Sequence, residues 1–191
     1  MTMYEMIRKN RSYRRFYEDE AIGEQTLLEL IDLGRLAPNG GNRQPLRYCY
    51  INDAKNEIVF RSLGWAAQLK DWKGPERGER PSAYIIVLTD PEINKTPLAE
   101  CGIAAHSILL GAAEKGLGGC MLRNIKIDQL KAELHIPEKY DVVMVIALGK
   151  PKEMVVIEEI ELGKPTNYYR DAVQVHHVPK LRLKDVVVPL N

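Results

Sequence analysis

Aromatic side chains are few in this sequence: two Trp, two Phe and nine Tyr in 191 residues. Without exposed aromatics interleaved among basic residues, the chain lacks the stacking platform of a single-strand nucleic-acid binder. It also lacks an excess of either charge. Lys and Arg number 27 against 26 Asp and Glu, a net charge of +1, whereas domains that bind polyanions are clearly basic. Cysteine is limited to Cys49, Cys101 and Cys120, odd in number and set in apolar surroundings, which reads as reduced core residues rather than a disulfide framework. Cys101-x4-His106 offers two metal ligands on one helix face but no second pair, so no metal site is assigned. No run approaches the ~18 apolar residues that span a bilayer, and MTMYEMIRKN has no apolar leader core, so the expectation is a cytoplasmic protein with no membrane partner. P-loop, H-E-x-x-H and G-x-S-x-G motifs are absent, and Gly116-Leu117-Gly118-Gly119-Cys120 lacks the strand-first context and downstream acid of a dinucleotide fingerprint.

What is present suits one domain over residues 1–191. Hydrophobic residues make up 45% and charged residues 28%, ordinary for a globular chain long enough to bury a core without staples. Thr2 with Glu5 forms a capping box that opens a short helix ending near Arg8 to Asn10. In Gly23 to Leu36 the apolar Leu27, Leu30 and Ile31 share a helical face, stopped at Pro38-Asn39-Gly40-Gly41. A short strand reaching Ile51, a helix within Asp53 to Leu63, and a further turn or two at Trp65 to Trp72 follow. Lys73 to Pro81 is a loop by composition. Ala83 to Leu88 reads as a buried strand. Thr96-Pro97 reads as an N-cap with proline in first helical position, opening a helix rich in small residues to about Lys115. Gly116 to Leu122 turns into a strand, Asp128 to Leu134 is a small helix, and Val142 to Leu148 is a central strand. Residues 150–191 read as an extended segment ending in Asp185-Val186-Val187-Val188-Pro189-Leu190, an apolar run that must pack on its own body or a neighbour.

Three constellations can carry chemistry. Arg11-Ser12-x-Arg14 supplies two guanidiniums and a hydroxyl beside a helix end, suited to a phosphate; the bland alternative is a solvated basic turn. Val178-Pro179-Lys180-Leu181-Arg182 alternates its cations so that Lys180 and Arg182 share one side of an extended segment. Ala37-Pro38-Asn39-Gly40-Gly41-Asn42-Arg43-Gln44-Pro45 concentrates amides and free backbone donors, more hydrogen-bonding capacity than a helix-stop loop needs. His176 and His177 would point to opposite faces and read as structural. With no nucleophile–base set in sight, the chemistry is expected from a bound cofactor and no catalytic side chain is assigned.

These residues resemble a known family. Arg11-Ser12-Tyr13-Arg14-Arg15-Phe16 is similar to the R-S-x-R-x-F element of FMN-dependent nitroreductases, and Ala37 to Pro45 to their A-P-S-x-x-N-x-Q-P element. The glycine run before Cys120, the strand ending Leu148-Gly149-Lys150-Pro151 and the C-terminal basic pair complete the order over essentially the whole chain. The resemblance implies an α+β fold with a central β-sheet flanked by helices, and a homodimer in which residues 150–191 act in dimerisation and a C-terminal strand joins the partner's sheet. It implies FMN as cofactor. Arg11, Ser12 and Arg14 would hold the phosphate and ribityl end with Lys180 and Arg182; Pro38, Asn39, Gly40 and Asn42 would reach the flavin of the other subunit, with Gln44 near. Backbone groups of Met121, Leu122 and Arg123 would lie along the ring. Activity would pass reducing equivalents from NAD(P)H through FMN to a small electron-poor acceptor such as a nitroaromatic or quinone; a flavin sensor or a dehalogenase-type enzyme of the same fold is the alternative. Three positions depart from the family: Asn10 stands for a frequent Arg, Asn39 for Ser, and Leu46 for Trp.

Overall fold

The structure is a computed structural model and describes residues 1–69 and 71–190. It opens with helix α1, Met3–Lys9, whose capping box is formed as expected: Thr2 Oγ1 accepts the Glu5 N–H and the Glu5 carboxylate accepts the Thr2 N–H. There follow β1 (Phe16–Tyr17), α2 (Glu24–Arg35), a 3-10 turn at Gly40–Asn42, β2 (Leu46–Ile51), α3 (Asn56–Arg61), β3 (Ala83–Thr89), α4 (Leu98–Glu114), β4 (Gly118–Leu122), α5 (Ile127–Leu134) and β5 (Asp141–Pro151). The chain closes with β6 (Val155–Ile160), β7 (Tyr169–Arg170), β8 (His176–Leu181) and the one-turn α6 (Leu183–Val186).

Strand β5 is the axis of the main sheet. Along one edge it pairs antiparallel with β3, which in turn pairs with β2; along the other it pairs with β4 and, further on, with β1. Alternation along the strands then divides the interior in two. Ile85, Val87, Ile146 and Leu148 face α2 and α4, whereas Tyr84, Ile86, Val145 and Ala147 face α3 and α5. Between Val87 and Leu88 the register slips by one, so Val143 and Met144 both turn toward α2 and α4, as in a β-bulge. Each fully buried branched side chain of this kind contributes roughly 1.5–3 kcal/mol. Small residues Ala104, Ala105, Ala112 and Gly111 let α4 approach the sheet and α2 closely; a Cβ at Gly111 would strike Leu33.

Two local expectations differ. Helix α4 starts at Leu98 with Pro97 as its cap and no side-chain cap, because Asn94 Oδ1 takes the Thr96 N–H at 3.0 Å and holds Thr96 in the preceding turn. The run Asp185 to Leu190 is not a strand: Asp185 and Val186 close α6, and Val188 and Leu190 are 79% and 94% exposed, paired with no strand among the described residues. Within residues 150–191 the chain builds a second sheet, with β8 between parallel β6 and antiparallel β7. Among the described residues, no helix is long and apolar enough to cross a membrane. The three cysteines are free, and burial raises the pKa of each thiol.

Candidate functional site

The segment after α1 is laid along the outer edge of β4. Ser12 and Gly119 form a parallel bridge, and the Tyr13 N–H donates to the Gly119 carbonyl at 3.0 Å. The two glycines make this approach possible. A Cβ at Gly118 would enter the Tyr13 ring, and one at Gly119 would meet the Ala147 carbonyl oxygen and Leu109. Above this seam Asn10, Arg11, Ser12, His106, Leu109 and Met121 line a cavity of about 190 Å³.

The cations here are incompletely satisfied. Arg11 Nη2 donates to the Ile7 carbonyl at 2.7 Å and Arg14 Nη1 to the Ser12 carbonyl at 3.3 Å. The Nε of each guanidinium is buried without a hydrogen-bond partner among the described residues. Burial lowers the Arg11 pKa and neighbouring Arg8 adds to this, with Tyr13 opposing, so the Arg11 cation is held in a site that an anion would relieve. The Arg14 guanidinium lies over the Tyr168 ring at 4.9 Å. Behind them, Cys120 is inert: burial raises its thiol pKa, which the nearby Arg14 only partly offsets. Donors of this kind, two unmet Nε–H groups and the exposed Ser12 hydroxyl, fit a phosphate. A cofactor that carries a phosphate would need such donors at that end.

Of the remaining expected residues, Met121 borders the cavity, Leu122 is buried in β4, and Arg123 follows the strand's end in exposed position. Pro38, Asn39, Gly40, Asn42 and Gln44 are elsewhere in the same chain. Asn39 and Gln44 line a hollow of about 410 Å³ between α2 and β2 with Leu46 and Tyr48, and Pro38 borders a shallower one with Met3, Leu33 and Leu36. Their loop is conformationally distinctive: Gly41, Asn42 and Gln44 have φ of 58°, 51° and 51°, a left-handed conformation that costs non-glycine residues energy and clusters at functional sites. Asn39 Oδ1 is buried without a hydrogen-bond partner among the described residues. Lys180 ends exposed on β8 and makes no ion pair among the described residues, while Arg182 is engaged by Glu161 at 2.7 Å and Asp185 at 2.9 Å. Neither borders the Arg11 cavity.

Other expectations resolve into structure. Cys101 is buried in α4 and His106 exposed, so they do not share a face; His106 instead reaches the cation cavity, a position no local motif marks. Trp65 packs beside Phe60 in the core, and Trp72 carries the Arg170 guanidinium at 4.2 Å. Lys70, at the start of the neighbouring loop, lies outside the described residues. His176 is wholly buried and His177 projects the other way, between Glu158 at 2.6 Å and Asp171 at 3.1 Å, in line with the structural reading.

Fold and site together define an α+β protein with a glycine-seated cationic loop suited to a phosphate. The chain belongs to the nitroreductase family, whose model matches residues 7–150, from α1 through β5. A protein of Archaeoglobus fulgidus, named by inference as an NADH dehydrogenase/NAD(P)H nitroreductase, is 29% identical over 157 residues, covering 78% of this chain and 84% of its own. Among solved structures, a nitroreductase family protein from Clostridium novyi NT superposes with a TM-score of 0.67 at 26% identity, over 80% of this chain and 88% of that one. An FMN-dependent nitroreductase from Clostridium difficile R20291 gives 0.62 at 25% identity, over 79% and 88%. Lys180 and Arg182 lie beyond the matched residues.

Proposed function

We propose that this chain is an FMN-dependent oxidoreductase that works as a homodimer, taking electrons from NAD(P)H and delivering them to a small electron-poor acceptor such as a nitroaromatic or quinone. The observation that carries this reading is the pair of buried, unmet Arg11 and Arg14 Nε–H groups beside Ser12, seated on Gly118 and Gly119. Bound FMN would supply the redox chemistry, accepting hydride equivalents from the nicotinamide and passing them on. Arg11, Ser12 and Arg14 would neutralise and hold the phosphate, and Met121 to Arg123 would border the ring from the end of β4.

The second wall would come from the other subunit. Asn39, Gly40, Asn42 and Gln44 do not line their own chain's Arg11 cavity, which supports their use across an interface. Exposed Met3, Tyr4 and Ile7 on α1, Leu36 after α2, and Leu98 and Ile103 on α4 offer an apolar surface for that contact. The exposed tail after α6 and the unpaired edge of β2 suit an exchange of C-terminal segments. Lys180 and Arg182 would complete the phosphate site once the dimer is assembled, Arg182 exchanging one of its carboxylate partners.

Purified protein tests this directly. Yellow colour, with flavin released on denaturation at about one FMN per chain, is the expected result; anaerobic NADH or NADPH should bleach it and a nitroaromatic or quinone restore it. Colourless protein that ignores added FMN would overturn the assignment, and a flavoprotein that no nicotinamide bleaches would leave a flavin binder in place of an enzyme.

A further inference from the structure

Glu153 is a carboxylate with 1% of its side chain exposed, close to a loop built to receive an anion. Charge alone makes this an adverse place for it. Its oxygens are both committed. Oε1 accepts the backbone N–H groups of Arg14 and, at 3.3 Å, Arg15; Oε2 accepts from Arg170 Nη2 at 2.9 Å, with His176 Nδ1 3.8 Å away. Burial pushes the carboxyl pKa up, but His176, the Arg14 N–H and Arg170 together more than reverse this and hold it below its ordinary value. Arg170, itself 7% exposed, lies over the Trp72 ring at 4.2 Å, and Tyr168 lies under the Arg14 guanidinium at 4.9 Å. One carboxylate therefore joins the cationic loop, 139 residues away in sequence, to β7 and β8.

We propose that Glu153 is a positioning residue for the cofactor phosphate: it fixes the backbone at Arg14 and Arg15, and so aims the Arg14 guanidinium, while Arg170 cancels the charge this requires. The inference rests on the FMN reading above. It couples phosphate affinity to docking of the β6–β8 sheet, since the same carboxylate serves both.

Positioning and plain electrostatics predict opposite signs, which makes the role testable by flavin titration of the full-length protein. Glu153→Gln removes a negative charge near the phosphate and should tighten FMN if charge were all that mattered. If Glu153 positions Arg14, the variant should instead weaken FMN roughly tenfold or more, the scale on which partners behind a ligand act in other sites. Riboflavin, which has no phosphate, should bind as before. Glu153→Asp keeps the charge but is a methylene too short to reach both partners, and should show the same selective loss of FMN; it also covers a glutamine variant that fails to fold. In an Arg14→Ala background neither change should reduce FMN affinity further. FMN bound by both variants as tightly as by the unaltered protein, or equal losses for FMN and riboflavin, would overturn the proposal alone. An unaltered protein that binds neither flavin would overturn the FMN reading and this inference with it.

Discussion

Ser12 and Gly119 face each other across a parallel bridge, and the approach leaves no room for a β-carbon at Gly119, where the Ala147 carbonyl oxygen and Leu109 already stand. The glycine pair thus has a cause in packing: it lets a cationic loop lie on a sheet edge. Gly119→Ala should cost about 1–3 kcal/mol, the usual range for overpacking, and should loosen flavin retention because Ser12 and Tyr13 must move. Urea unfolding midpoints and released flavin measure the two effects; unchanged values for both would contradict the seam.

Arg14 and Arg15 are adjacent but should behave differently. Both keep a buried Nε–H without a hydrogen-bond partner among the described residues, but Arg15 Nε lies 3.1 Å from the Glu79 carboxylate, an ion pair that Arg14 lacks among those residues. Arg14→Ala should lose roughly 1.5–3 kcal/mol of FMN binding, the scale of a hydrogen bond to a charged group, and flatten its salt dependence. Arg15→Ala removes a partly exposed ion pair of about 0–1 kcal/mol and should leave FMN affinity nearly unchanged. Equal effects in titrations at two ionic strengths would contradict the assignment of Arg14.

Much of this fold is legible locally. The Thr2–Glu5 capping box, the Leu27–Leu30 face of α2, and the apolar runs of β3 and β5 each encode their element within a few residues, and they formed where expected. Arg11, Ser12 and Met121 were found through motif order, and they meet around one cavity. What eluded the sequence depends on distant partners. Nothing near Glu153 announces that it will bond the backbone at Arg14, and nothing near Arg182 announces Glu161, 21 residues earlier, as a partner. The tail at Val187 to Leu190 shows the converse: its apolar pattern reads as a strand, but a strand needs a paired neighbour, and among the described residues the tail pairs with none.

Dimerisation should be separable from folding. Leu36 is 63% exposed next to the amide loop and borders an apolar hollow with Met3 and Leu33. Leu36→Asp places a charge on that surface, at little cost to a monomer. If the proposed homodimer forms through this face, sedimentation velocity should show a shift to monomer, and flavin should be lost as the amide loop leaves the site proposed for it on the partner. A variant that stays dimeric would exclude this face as the interface.

His177 gives the C-terminal sheet a pH dependence whose sign follows from its partners. Its bond to Asp171, then Glu158, raises the imidazole pKa against the opposing effect of burial, and stacking on Tyr169 at 4.7 Å fixes the ring. A raised histidine pKa stabilises the fold below the unfolded value of 6.5, and the contribution is lost as pH climbs through the folded pKa. Asp171 titrates the other way. Its pKa is lowered, first by His177, so its contribution is present above the unfolded value of 3.8 and disappears as pH falls through the folded pKa. Stability of β6–β8 should therefore be greatest between those limits and decline as pH rises beyond 6.5 through the raised His177 pKa. His177→Gln should flatten the alkaline decline in thermal midpoint; a variant whose midpoint falls with pH as steeply as the unaltered protein's would show that this pair contributes nothing.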